Sequence, residues 1–151
     1  LLRKTGATID ETAIGVRLTG RVQQSLGSVD VGATPDLFPI LAALAAAVPG
    51  SSRLHGSPGL RHKECDRITA MAEGLRRMGI QVDELADGAV IHGDPGALQG
   101  ATVRAFDDHR IHMALAVLAE VAEGPSDVSD PDCVAVSYPS FHADLARLAA
   151  S

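Results

Sequence analysis

Residues 36–48, DLFPILAALAAAV, carry no polar side chain after Asp36, and no other stretch constrains the fold as much. The segment is too short for the ~20 apolar residues of a membrane span. It is also too uniformly apolar for a surface helix, which would show one polar face. A helix starting at Pro35 and ending at Pro49-Gly50 must therefore be buried on every side, with sheets or other helices around it. Pro39 falls within its first turns, where a missing amide is tolerated.

The flanking residues supply those neighbours. A brief strand reads at Val29–Val31 after a Gly/Ser turn, and a second at Ser51–Gly56. An amphipathic helix follows over Lys63–Met78, closed by Gly79, and then a hairpin of Ile80–Leu85 and Ala89–Gly93 about Asp87-Gly88. The order is β-α-β-α-β-β. A looser copy begins with strand Thr102–Phe106, helix His109–Ala122, a short strand Ser126–Ser129 and helix Ser140–Ala150. The opening LLRKTG reads as a last helical turn closed by Gly6, and Ala7–Glu11 with Gly15–Leu18 reads as a strand pair with apolar Ile9, Ile14, Val16 and Leu18. The expected organisation is one partial α+β domain over 1–151: the tail of one repeat (1–20), a complete repeat (29–93) and part of the next (102–150). Because a repeat needs neighbours to cover its open face, the chain is expected to be a fragment of a larger assembly.

With 46% apolar and 21% charged residues, the chain has the composition of a globular domain. A net charge of −6 excludes a broad nucleic-acid or membrane-surface footprint, so any anion must be caught locally. Cys65 and Cys133 lack metal-ligand spacing, and there is no signal-peptide pattern, so a reducing cytoplasm is the expected compartment. At 3%, aromatic residues are too few for stacking to dominate recognition.

Charge concentrates in two places. In LRHKECDRITAM, Lys63, Glu64 and Arg67 fall in the first turn of the expected helix, where two cations and the helix N-terminus suit phosphate or carboxylate oxygens and Glu64 suits a proton transfer. The plainer alternative is an ordinary Glu-Arg pair at i, i+3 on a solvated helix end. Only two lysines occur against eleven arginines, which makes Lys63 in this run more noteworthy. Cys65 is either a thiol whose pKa the cations lower or a small residue packed inward, the second being the simpler reading. The second cluster, Asp107-Asp108-His109-Arg110, precedes an apolar helix; either aspartate serves as its N-cap, whereas an arginine there needs an anion. Asp36 likewise reads as an N-cap, with binding and polarising a substrate hydroxyl as the functional alternative. The remaining histidines, at 55, 62, 92, 112 and 142, show no metal-ligand spacing and read as loop, strand or surface residues. No Gly-rich phosphate loop or nucleophile elbow is present.

Four segments, DVGATPDLFPILAALAA, LRHKECDRITAMAEGLRRMG, FDDHRIHMALAV and DPDCVAVSYPSF, together resemble the C-terminal portion of the 5-enolpyruvylshikimate-3-phosphate synthase (3-phosphoshikimate 1-carboxyvinyltransferase) family. The resemblance runs in order and spacing from about Val29 to Leu148. It implies an enolpyruvyl transferase-like α/β fold, in which βαβαββ repeats form most of one inside-out barrel domain with helices inside and sheets outside. It implies transfer of the enolpyruvyl group of phosphoenolpyruvate to the 5-hydroxyl of shikimate 3-phosphate, on the route to chorismate and the aromatic amino acids, with no cofactor and no metal. By position in the motifs, Asp36 is similar to an aspartate that binds the shikimate hydroxyls and assists proton transfer. Glu64 is similar to a glutamate that shuttles a proton at the methylene carbon. Lys63 matches a lysine near shikimate 3-phosphate, Arg67 and Arg110 match arginines that grip phosphoenolpyruvate, and His109 matches a histidine beside that site.

Two positions depart from the pattern. Val136 stands where many members carry a phosphoenolpyruvate-contacting lysine, and Gly59 where some carry an asparagine near shikimate 3-phosphate. The resemblance also implies that the family's remaining anion-binding residues come from an N-terminal domain absent here, so the chain alone is expected to be inactive. A UDP-N-acetylglucosamine enolpyruvyl transferase is the same-fold alternative, against which KECDR followed by DHR argues. A non-catalytic βαβαββ scaffold is the alternative from another class.

Overall fold

The computed structural model describes residues 2–20 and 22–150. A 3₁₀ turn at Leu2–Thr5 ends at Gly6, whose φ of 100° suits a residue without a side chain. Strands β1 (Thr8–Thr12) and β2 (Gly15–Thr19) then pair antiparallel, Ile9 opposite Leu18. The alternation read from the sequence is real, but Ile14, Val16 and Leu18 are all exposed.

The central unit has the expected order: β3 (Ser28–Asp30), α1 (Phe38–Ala46), β4 (Gly50–His55), α2 (Arg67–Arg77), β5 (Gln81–Leu85) and β6 (Gly88–Gly93). Its sheet runs β3-β4-β6-β5, with β3 parallel to β4 and the other pairs antiparallel. Period-two alternation sends Ser52, Leu54, Val82, Ala89 and Ile91 inward and leaves Ser51, Arg53, Gln81 and Asp83 exposed on the outer face. A partial copy follows: β7 (Thr102–Val103) parallel to β8 (Asp127–Val128), with α3 (His109–Ala119) between them and α4 (Phe141–Ala149) after a 3₁₀ turn at Pro131–Val136.

Helix α1 packs against β4, β6, α2 and α3, so helices lie inside and the sheet outside. Phe38, Leu54, Ile68, Leu75, Ile91, Ile111 and Leu115 meet in one continuous core, and Cys133, Val134 and Phe141 form a small second one beneath α4. Among the described residues the three sheets stay separate, so the barrel closure implied by the resemblance is not formed by them.

Several boundaries differ from expectation for local physical reasons. Helix α2 starts at Arg67 rather than Lys63: residues 63–65 bend, and the Asp66 carboxylate caps the helix by accepting the Ile68 and Thr69 amides at 3.1 Å each. Lys63 and Glu64 therefore sit on an arch before the helix, not in its first turn. The segment after Pro35 opens as a 3₁₀ turn and becomes α-helical only at Phe38. It is not buried on every side, since Leu37 and Ile40 are 48% and 40% exposed. Strand β7 stops at Val103, since the Ala105 amide donates to the Ser129 hydroxyl at 2.9 Å instead of a strand carbonyl, and Phe106 and Asp107, at φ 56° and 58°, then turn the chain. Helix α3 ends at Ala119, short of Ala122.

The end of β6 approaches the C-terminus of α1 so closely that a methyl group at Gly93 would collide with the carbonyl oxygens of Ala45 and Val48. Gly93→Ala is expected to cost about 1–3 kcal/mol through overpacking against backbone. A urea-denaturation midpoint unchanged from wild type would show that this contact is not close.

Candidate active site

The starts of α1, α2 and α3 converge on one guanidinium. Arg67 opens α2 and is 1% exposed, a burial that demands compensating charge. Its Nε donates to Asp108 Oδ2 at 2.7 Å, its Nη1 to Asp36 Oδ1 at 2.8 Å and its Nη2 to Glu64 Oε2 at 2.8 Å. Burial works against its charge, but the Asp108 hydrogen bond and charge, with Asp36 and Glu64, outweigh that and push its pKa up. Arg67 is cationic in every relevant condition.

The three carboxylates differ in kind. Asp108 is fully buried and also caps α3, its Oδ1 accepting the Arg110 amide at 2.9 Å and the Ile111 amide at 3.4 Å. Of the two aspartates considered for the cap, Asp108 is the one used, and its second role as anchor of Arg67 was not legible in the sequence. Asp36 and Glu64 have side chains 47% and 50% exposed and face solvent. Asp36 is not the N-cap the sequence suggested. It lies inside the 3₁₀ turn, preceded by Thr34 at the cap position, and its carboxylate points to cations instead. Besides Arg67 it meets Arg110 Nη2 at 3.0 Å and Lys63 Nζ at 4.0 Å. Burial pulls the Asp36 pKa up, but the Arg67 hydrogen bond and the charges of Arg110, Arg67 and Lys63 prevail and hold it below the usual carboxylate value.

The structure thus brings Asp36, Lys63, Glu64, Arg67 and Arg110 together around one spot, where, with Asp108, three cations meet three carboxylates. His109 is the first residue of α3 and is 8% exposed, next to Arg110 in sequence. A groove of about 210 Å³ opens beside the cluster, lined by Asp36, Ile40, Arg110, Met113, Tyr138 and Phe141. Val136, in the turn before α4, is 79% exposed. Gly59 has open space where a side chain would stand. Among the described residues no group of three or more His, Cys, Asp or Glu side chains is placed to hold a metal. No helix of the structure is long and apolar enough to cross a membrane.

One other reading needs correction, and the simpler reading of Cys65 holds. His112 is not a surface residue: it is 2% exposed in α3, with Nδ1 2.7 Å from the Ser129 carbonyl, and burial lowers its pKa. Cys65 is the inward-packed residue rather than an activated thiol. Burial first, and then Asp108 3.7 Å from its sulfur, pushes its pKa up to about 12.

One complete βαβαββ unit with a largely apolar helix inside, followed by a shorter run of strands and helices, is consistent with the enolpyruvyl transferase-like fold. The family model for EPSP synthase (3-phosphoshikimate 1-carboxyvinyltransferase) matches residues 1–145, and the chain belongs to that family. Proteins named 3-phosphoshikimate 1-carboxyvinyltransferase are similar to it. The one from Methanocella arvoryzae is 49% identical over 81% of this chain and 28% of its own length, and the one from Natronomonas pharaonis 44% over 98% and 34%. A solved EPSP synthase from Acinetobacter baumannii superposes with a TM-score of 0.81 at 30% identity, over 98% of this chain and 37% of that one. The chain spans about a third of the length of these relatives.

At pH 8 iodoacetamide is expected to leave Cys65 unmodified in the folded protein and to alkylate it promptly in urea, because a thiol with a pKa near 12 holds almost no thiolate. Alkylation of native Cys65 at the rate of a free thiol would contradict the placement of its sulfur beside Asp108.

Proposed function

We propose that this chain forms one wall of the active site of a 3-phosphoshikimate 1-carboxyvinyltransferase. In that reaction the enolpyruvyl group of phosphoenolpyruvate passes to the 5-hydroxyl of shikimate 3-phosphate and inorganic phosphate leaves. The observation that carries the proposal is the pairing of Lys63, Arg67 and Arg110 with two half-exposed carboxylates, Asp36 and Glu64. Without substrate these carboxylates satisfy the cations. Phosphoenolpyruvate brings its own carboxylate and phosphate, which compete for the same guanidinium donors. Arg67 and Arg110 then grip phosphoenolpyruvate, Lys63 and Asp36 face shikimate 3-phosphate, and His109 borders the anion.

Displacement frees the two carboxylates for proton transfer. In the addition step the 5-hydroxyl oxygen bonds to C2 of phosphoenolpyruvate, its proton passes to Asp36, and Glu64, which takes a proton from solvent once the anion has displaced it from Arg67, gives that proton to C3. In the elimination step the bond from C2 to the phosphate oxygen breaks, C3 returns a proton to Glu64, and the proton on Asp36 leaves with phosphate. Positioned acid-base groups of this kind contribute about 10²–10⁴-fold each. The reaction belongs to the route to chorismate and the aromatic amino acids, and we assign it to the cytoplasm.

A cleft with one wall cannot exclude water or close around both substrates. We assign the facing wall to an N-terminal domain of the same enzyme, in keeping with the third of the relatives' length that this chain covers. The test is phosphate release from shikimate 3-phosphate plus phosphoenolpyruvate, measured on the chain alone, on the protein completed by that domain, and on its Glu64→Gln variant. The complete protein is expected to turn over, the chain alone to be silent, and Glu64→Gln to fall by about 10²–10⁴-fold. A complete protein that binds both substrates without turnover would sink the assignment. Equal rates with and without Glu64→Gln would sink the role of Glu64.

A further inference from the structure

Lys63 and Glu64 ride on an arch that has neither helical nor strand backbone, with bends at residues 63–65 between a 3₁₀ turn at Pro58–His62 and the start of α2. Such a segment must be held by side chains. Three of its contacts point into the site: Glu64 to Arg67, Lys63 to Asp36, and the Cys65 sulfur to Asp108. The first two are the ion pairs that a bound anion replaces. When the site fills, the arch loses them at the moment when Lys63 and Glu64 must be placed most accurately.

One side chain holds the arch from the opposite side. Arg61 Nη1 donates to Asp66 Oδ2 at 2.8 Å, joining the two feet of the arch across five residues. Its Nη2 donates to the Leu85 carbonyl at 2.6 Å and its Nε to the Ala86 carbonyl at 3.3 Å, so the same guanidinium ties the arch to the turn of the β5–β6 hairpin. That turn is itself fixed, since Asp87 accepts the Gly56 amide at 2.9 Å and its carbonyl accepts the Ser57 amide at 3.0 Å. Asp66 meanwhile caps α2 with its other oxygen, so a single carboxylate sets both where the helix starts and where the arch lands. Burial raises the Asp66 pKa, but the Thr69 amide and Arg61 more than offset it, so the capping carboxylate stays ionised. None of the partners of Arg61 lies in the anion cluster, and no bound substrate would release them.

We propose that Arg61 is a positioning residue for this reaction: it closes the 61–66 arch from behind and holds Lys63 and Glu64 in register while Arg67 and Asp36 exchange their partners for substrate. The inference rests on the proposed carboxyvinyl transfer for its catalytic consequence, but not for its structural one.

The experiment compares Arg61→Ala, Arg61→Lys and Asp66→Asn with Arg76→Ala in the complete protein. Arg76 supplies the control because its guanidinium also ties α2 to β5, through the Val82 carbonyl at 2.7 Å and Glu84 at 3.0 Å, and meets Arg61 only through that shared Glu84, 3.8 Å from Arg61 Nη1. Asp66→Asn keeps a side chain that caps well but removes the charge pair, so it remains informative if Arg61→Ala folds poorly. Two readouts are taken: hydrogen exchange of the amides of residues 63–66, and steady-state kcat and KM. Loss of Arg61 is expected to speed exchange in the arch by about tenfold or more, the factor carried by one charge-assisted hydrogen bond. It is also expected to lower kcat by on the order of 10²-fold, as a misplacement of about 1 Å does. Arg61→Lys should recover part of both, and Asp66→Asn should reproduce the exchange change to a smaller degree. Arg76→Ala should move neither readout. Arch exchange and kcat in Arg61→Ala no different from those in Arg76→Ala would overturn the proposal. If the wild-type protein shows no turnover, the functional assignment fails while the exchange data still decide the place of Arg61.

Discussion

A guanidinium that is 1% exposed stands at the junction of three helix starts, and the arrangement of the site follows from the need to neutralise it. Leaving such a charge uncompensated costs about 3–5 kcal/mol, a large share of the stability of a domain this size. Asp108 supplies the permanent countercharge. Because Asp108 is also the N-cap of α3, the bond that neutralises Arg67 fixes where α3 begins relative to α2. Asp36 draws the start of α1 to the same point. The interior position of α1, imposed by its apolar sequence, and the convergence of the three helix starts are therefore parts of one solution.

The difference between buried and exposed partners turns this structural knot into a binding site. Asp108 has no solvent exposure and its oxygens are committed to helix amides as well as to Arg67, so it does not exchange. Asp36 and Glu64 are about half exposed, so water can solvate each of them when a ligand oxygen takes its place on Arg67. Arg67 is thus held by one face and offered by the other. Lys63 and Arg110, each about one-third exposed, flank that offered face and extend it toward the groove between α1, α3 and α4.

Much of this was legible in the sequence, and the failures share a cause. Gly79, the Pro49-Gly50 stop, the Asp87-Gly88 turn and the alternation in 80–93 act locally, so the βαβαββ order could be read from neighbours along the chain. An aspartate just before a helix is different, because a cap and an ion-pair partner have the same local spelling. At Asp36 the spelling of a cap marks a residue that binds cations, while Asp108 does both. KECDR has the charge spacing of a helix turn, which puts the expected start of α2 four residues early, whereas Asp66 captures the first free amides and the preceding residues form an arch. The Glu64–Arg67 pair expected at i, i+3 does form, but across that arch rather than along a helix. The alternation of Ile14, Val16 and Leu18 marks a strand correctly without saying what would cover it.

The account stands or falls on the coupling between Arg67 and Asp108, and a double-mutant cycle with Arg67→Met and Asp108→Asn measures it directly. Asparagine at position 108 keeps the helix cap, so the cycle isolates the charge pair from the capping bond. Arg67→Met alone leaves Asp108 buried without its partner and is predicted to lose about 3–5 kcal/mol by denaturant unfolding. Adding Asp108→Asn to it is predicted to recover much of that loss, with a coupling of about 2–3 kcal/mol. Losses that add within about 0.5 kcal/mol would contradict the claim that this pair organises the site.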